Sequence, residues 1–168
     1  KTDSLLRETS SHYIRQIGDA DRKARIMLIV TSVLITIGIS ILTEAINKVP
    51  LVWISATILI ITNGATLFFS ILSVKPELKS SHLAKETENN MLHYKKCSEY
   101  SLQDYTKMMI DTLEDSDKKR DAIIKELYYY GNLLTMKYNY IQIAYRFFLW
   151  GVVLSVVSYL LIIFAKNA

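Results

Sequence analysis

Three stretches without a single charged side chain, residues 26–43, 49–74 and 147–165, constrain this sequence more than any other feature. A bilayer's hydrocarbon core is roughly 30 Å thick, and about 20 helical residues cross it, with about 17 as the lower end. All three runs qualify, the first being the shortest. Buried helices of a soluble bundle would show a polar side every turn, and neither residues 26–30 nor residues 158–164 have one. A cleaved signal peptide fits the first run no better, because about 25 residues of largely polar chain precede it and no small-residue cleavage site follows. Hydrophobic residues make up 51% of the chain and charged ones 21%, so the two sets must be segregated. The sequence therefore predicts an all-α membrane protein with three transmembrane helices. We expect one domain, with a cytoplasmic amphipathic helix at 1–25, spans at 26–43, 49–74 and 147–165, and a cytoplasmic helical region at 75–146.

Basic residues orient the spans. Arg22, Lys23 and Arg25 crowd the approach to the first span, and such clusters stay on the cytoplasmic side. Glu44 to Lys48 then form a short outer turn, and the second span returns to Lys75 and Pro76. This topology places the N-terminus and Cys97 inside, and Lys48 and the C-terminus outside.

Within the long polar region, Lys75 to Lys96 is rich in Ser, Lys, Glu and Asn and predicts irregular or partly helical chain. Ser101 fits a helix N-cap, with Asp104 in the capping-box position ahead of Tyr105, Met108, Met109 and Leu113. Asp117 is the expected cap of a further helix in which Ile123, Leu127, Tyr130, Leu134, Tyr138 and Ile141 recur every three or four residues. No proline interrupts that pattern before the third span, so the helix is expected to run unbroken into the membrane. Leu6, Tyr13, Ile17, Ala20 and Ala24 predict the same continuity ahead of the first span, and the two extensions are expected to pack together.

Several chemistries are disfavoured. One cysteine, Cys97, permits no intrachain disulfide and no cysteine-based metal site. His12, His82 and His93 lack ligand-like spacing, so no metal site is expected, and no Walker, zincin or hydrolase motif occurs. The spans hold no acid or base for intramembrane catalysis. We therefore expect no enzyme. Residues 75–146 carry twelve Lys or Arg against eleven Asp or Glu, which is not a nucleic-acid surface. The remaining basic excess flanks the membrane, where anionic lipid accounts for it.

The spans do carry uncharged polar residues, which in lipid seek partners on other helices or water. Thr62, Asn63, Thr66 and Ser70 share one side of the second span, and Ser32, Thr36, Ser40 and Thr43 lie near one side of the first. Either stripe can bind helices together, or Asn63, Thr66 and Ser70 can line a pore, which three spans cannot enclose without further copies of the chain. Gly151, Ser155 and Ser158 form a close-packing face on the third span. Tyr140 and Tyr145, beside Arg146, suit an interfacial aromatic belt.

The segment Ala20-Asp-Arg-Lys-Ala24 before the first span resembles the Ala-Asp-x-Lys-Ala opening of the transmembrane effectors of Pycsar antiphage systems. Other matches follow in order: the short outer turn, Pro76 after the second span, Ser101 to Tyr105 as a Ser-x-x-x-Tyr helix start, and the pairs Lys137-Tyr138 and Ala144-Tyr145 before the third span. The resemblance covers most of the chain after about residue 15 and departs from the family pattern at Met91 to Tyr94, followed by Lys95 and Lys96. It implies an effector that senses a cyclic pyrimidine mononucleotide, cUMP or cCMP, made by a partner cyclase on phage infection, and then oligomerises and disrupts the inner membrane.

Such an effector needs a cation for the phosphodiester and an aromatic wall for the base, which Lys23, Lys137, Tyr138 and Arg146 can supply. Asp21 and Arg25 are expected to act structurally beside the membrane, with Asp21 pairing to Lys23, Arg25 or a residue of the long helix such as Lys137. The alternative is a constitutive scaffold or toxin-like assembly whose cytoplasmic helices bind a protein partner.

Overall fold

The computed structural model describes residues 2–48, 50–75, 90 and 96–167. Its elements are α1 (Thr2–Lys48), a 3-10 turn (Pro50–Val52), α2 (Trp53–Val74), the single turn α3 (Lys96–Glu99), α4 (Leu102–Glu114) and α5 (Ser116–Asn167). There is no strand among the described residues. Three helices, over Ser4–Ser40, Trp53–Val74 and Ser116–Lys166, are long and apolar enough to cross a membrane. The expected continuity holds at both ends, since α1 and α5 each run without a break from polar sequence into an apolar run. The stretch expected to be irregular, and the departing segment at Met91 to Tyr94, lie outside the described residues except at their edges and at Asn90.

Local chemistry sets the helix ends. Proline disfavours helical backbone in the residue before it, and Lys75, which precedes Pro76, is extended at φ −64° and ψ 123°. Ser101 caps α4 as expected: its hydroxyl accepts from the Asp104 amide at 3.2 Å and donates to the Asp104 carboxylate at 2.7 Å. The cap of α5 is Asp115 rather than Asp117. A capping residue must itself be non-helical, and Asp115 is extended, its carboxylate accepting from the amides of Asp117 at 3.0 Å and Lys118 at 3.2 Å. Asp117 is thus capped, not capping. The two amides hold the Asp115 carboxyl below its usual range.

The chain forms two compact units, one of Lys1–Asp19 with Pro76–Met136 and one of Ala20–Lys75 with Lys137–Ala168. In the first unit the extensions of α1 and α5 approach as expected, with a Tyr13 ring carbon 3.9 Å from where a Gly131 side chain would begin. Asn90 is buried there, its amide donating to the Ala122 carbonyl at 2.8 Å and the Glu126 carboxylate at 3.4 Å. Glu126 also hydrogen-bonds Tyr130, and burial together with this bond raises the Tyr130 phenol well above its ordinary value. In contrast, α4 buries no residue: Tyr105 and Met109 are half-buried, while Met108 and Leu113 are exposed.

The second unit has the reverse of a water-soluble polarity. Ile29, Val33, Ile61, Phe68, Leu161 and Phe164 face outward, while Thr31, Ser55, Asn63, Thr66, Ser70, Ser73 and Ser155 are buried. Lipid tails offer large apolar side chains a solvent as good as a protein interior, so small and polar residues take the helix contacts instead.

Candidate functional site

The second unit is held by a seam and a latch. Along the seam, α2 and α5 approach closely because α5 offers Gly151: a methyl group there would come within 2.1 Å of the Thr62 hydroxyl and 2.5 Å of its Cβ. One turn on, the Ser155 hydroxyl donates to the Ser55 carbonyl at 3.1 Å, and the Ser55 hydroxyl donates to that of Ser158 at 2.9 Å. The face expected from Gly151, Ser155 and Ser158 is therefore a packing face. Phe69 of α2 and Phe147 of α5 stack with ring centres 5.6 Å apart.

The latch joins α1, α2 and α5. The Lys137 ammonium donates to the Asp21 carboxylate and, at 3.1 Å, to the Ser73 carbonyl. The Ser73 hydroxyl returns a bond to the Lys137 carbonyl at 3.2 Å. The last carbonyls of a helix lack partners within it and favour a nearby cation, and Ser73 sits in the final turn of α2. Only 5% of the Lys137 side chain is exposed, against 28% of Asp21, so the ammonium depends on these two acceptors. Ala20, Ala24 and Ile141 pack into an apolar cluster flanked by Val74 and Tyr138.

The four residues expected to hold a ligand do not converge. The Lys23 ammonium lies 5.3 Å from the centre of the Tyr138 ring, a cation–π contact. Lys137 is committed to Asp21 instead, one of the pairings anticipated for that carboxylate. Arg146 is exposed, and nine residues at about 100° each carry it to the opposite side of α5 from Lys137. Arg25 acts locally, its Nε donating to the Asp21 carbonyl at 3.3 Å.

The polar stripes separate. In α1, Ser32, Thr36, Ser40 and Thr43 each donate to the carbonyl four residues back and face outward, a bond that lets a hydroxyl sit in lipid without another helix. Among the described residues of α1 the buried polar one is Thr31, which the sequence pattern did not single out. In α2, Asn63, Thr66 and Ser70 are buried within the single chain. Ser73, also missed, follows Asn63, Thr66 and Ser70 at helical spacing, and that spacing was the available signal. The hydroxyls of Thr31 and Ser70 and the Asn63 side-chain carbonyl are buried with no hydrogen-bond partner among the described residues.

No curated protein or solved structure matches this chain. A family model described as the Pycsar effector protein domain matches residues 5–164, and that match takes in both units, the latch and the seam. The chain belongs to the Pycsar effector protein domain family, and with its three apolar helices it is a membrane effector of antiphage defence.

Proposed function

We propose that the chain answers a cyclic pyrimidine mononucleotide, cUMP or cCMP, supplied by a partner cyclase, by parting its own spans, oligomerising and disrupting the inner membrane, so that the infected cell stops growing or dies. The carrying observation is the set of buried polar atoms on Thr31, Asn63 and Ser70, in the second unit, that have no partner among the described residues. Buried polar groups are normally paired, because each unmade bond costs about 1–3 kcal/mol. A state that gives these atoms water or a second copy regains that cost, so the resting packing is poised to open. In the open assembly Asn63, Thr66 and Ser70 line the aqueous path. The basic residues beside the first span support a cytoplasmic N-terminus and an outer C-terminus.

The test compares wild type with Asn63→Leu at matched membrane levels, reading membrane potential by dye after the cyclase signal is induced. Reduced depolarisation in the variant is expected, since an apolar lining dewets. Equal depolarisation removes Asn63 from the path, and none in wild type refutes the reading. One observation favours the alternative of a constitutive scaffold: α4 leaves Leu102, Ile110 and Leu113 exposed. That alternative requires the same growth phenotype with and without the signal.

A further inference from the structure

The cations that the sequence suggests for a ligand lie in the second unit, but a groove lined by three further cations lies in the first. A groove with a volume of about 920 Å³ runs between the start of α1 and the start of α5. Arg7, Ser11 and Arg15 line it from α1, and their four-residue spacing sets them on one face. Lys119 reaches it from α5, with Ile123 as an apolar wall and His12 as a flat ring. Three cations meet one carboxylate there, that of Glu8.

Pairing sets these cations apart. Around Lys119, the other basic residues of early α5 are all engaged: Lys118 with Asp111 at 2.9 Å, Arg120 with Asp117 at 3.8 Å and Lys125 with Asp121 at 2.6 Å. Arg7, Arg15 and Lys119 form no ion pair among the described residues. Within the groove these three cations exceed the single carboxylate of Glu8.

We propose that this groove binds a phosphodiester monoanion of mononucleotide size. Guanidinium groups match phosphate oxygens with two parallel hydrogen bonds. Arg7 and Arg15 are separated by about 12 Å along the helix, so their long side chains bracket an anion held near Ser11. The volume lies within the range of about 300–1,000 Å³ usual for small-molecule sites, which is more than an inorganic ion fills. His12 and Ile123 give a base a ring and an apolar surface to lie against. The inference rests on the proposed nucleotide signal and deepens it by placing the sensor. A lipid headgroup carries the same phosphodiester chemistry.

The experiment uses the full chain in nanodiscs of zwitterionic lipid. Thermal unfolding is followed with cUMP, with cCMP, and separately with phosphatidylglycerol added to the disc. We expect cUMP or cCMP to raise the midpoint of wild type, and Arg7→Ala combined with Arg15→Ala to weaken apparent affinity about tenfold or more while circular dichroism is unchanged. Lys119→Ala, on the other helix, should act in the same direction and serves if the double variant does not fold. Unchanged nucleotide affinity in these variants overturns the groove. Stabilisation by phosphatidylglycerol alone, lost in the same variants, keeps the groove and makes lipid its source. If no arm stabilises wild type, the groove is refuted. Signal-dependent depolarisation in cells, read separately, then decides whether the proposed function survives without it.

Discussion

Replacing Asp21 by Ala isolates the latch. Breaking a buried ion pair by removing one partner typically costs about 3–5 kcal/mol, because the other charge stays behind uncompensated. Here the partner left behind is Lys137, with 5% of its side chain exposed. It keeps the Ser73 carbonyl at 3.1 Å, and water can follow the half-exposed path that Asp21 occupied, so the lower end, about 3 kcal/mol, is expected. Lys137→Met should cost less, about 1 kcal/mol, since the Asp21 left behind can hydrate. The double variant should return to within about 1 kcal/mol of Lys137→Met, because no buried charge remains. Denaturant unfolding in detergent micelles, followed by circular dichroism, measures all four corners of the cycle. If Asp21→Ala costs no more than Lys137→Met, or the double variant is as unstable as Asp21→Ala, the pair does not hold the unit. Asp21→Ala should also depolarise cells without any signal if the latch keeps the spans closed.

Gly151→Ala should destabilise by about 1–3 kcal/mol, since its methyl group collides with the Thr62 Cβ and not merely with a flexible tip; unfolding in micelles checks it, and no change contradicts the seam. The Asp115 carboxylate has a folded value below its unfolded one, so its stabilisation of α5 is present above the ordinary carboxylate range and disappears as pH falls through the lowered value. The protection factors of the Asp117 and Lys118 amides should fall over that interval, and protection that is independent of pH refutes the cap. For topology, a membrane-impermeant maleimide should label Cys97 only after the inner membrane is breached, and labelling in intact cells reverses the proposed orientation.

Architecture was readable because the bilayer demands long uncharged runs, and because capping and proline chemistry act over three or four residues, as at Ser101 and Lys75. The seam was readable too, since Gly151, Ser155 and Ser158 are small residues at helical spacing in a span. What one sequence obscures is the direction each stripe faces. Ser32, Thr36, Ser40 and Thr43 look on paper like Asn63, Thr66 and Ser70, yet the first set satisfies itself on its own backbone and faces outward, while the second is buried. Only the neighbouring helix decides that. The ligand residues were sought beside the membrane because cations and tyrosines gather there in sequence, but Lys137 is claimed by Asp21, a contact 116 positions away along the chain. The capping error at Asp117 came from two aspartates two positions apart, either of which fits an N-cap by composition.

The proposed function requires the second and third spans to part. Ser55 and Ser158 hold their hydroxyl oxygens 2.9 Å apart across that seam, so Ser55→Cys with Ser158→Cys, made in a Cys97→Ser background, offers a reversible crosslink. Membrane potential is recorded in cells carrying the cyclase signal, after mild oxidant and again after reductant. Polarised cells are expected while the crosslink is closed, and depolarisation once it is reduced. Full depolarisation with the crosslink intact, verified by mobility on a non-reducing gel, contradicts that requirement.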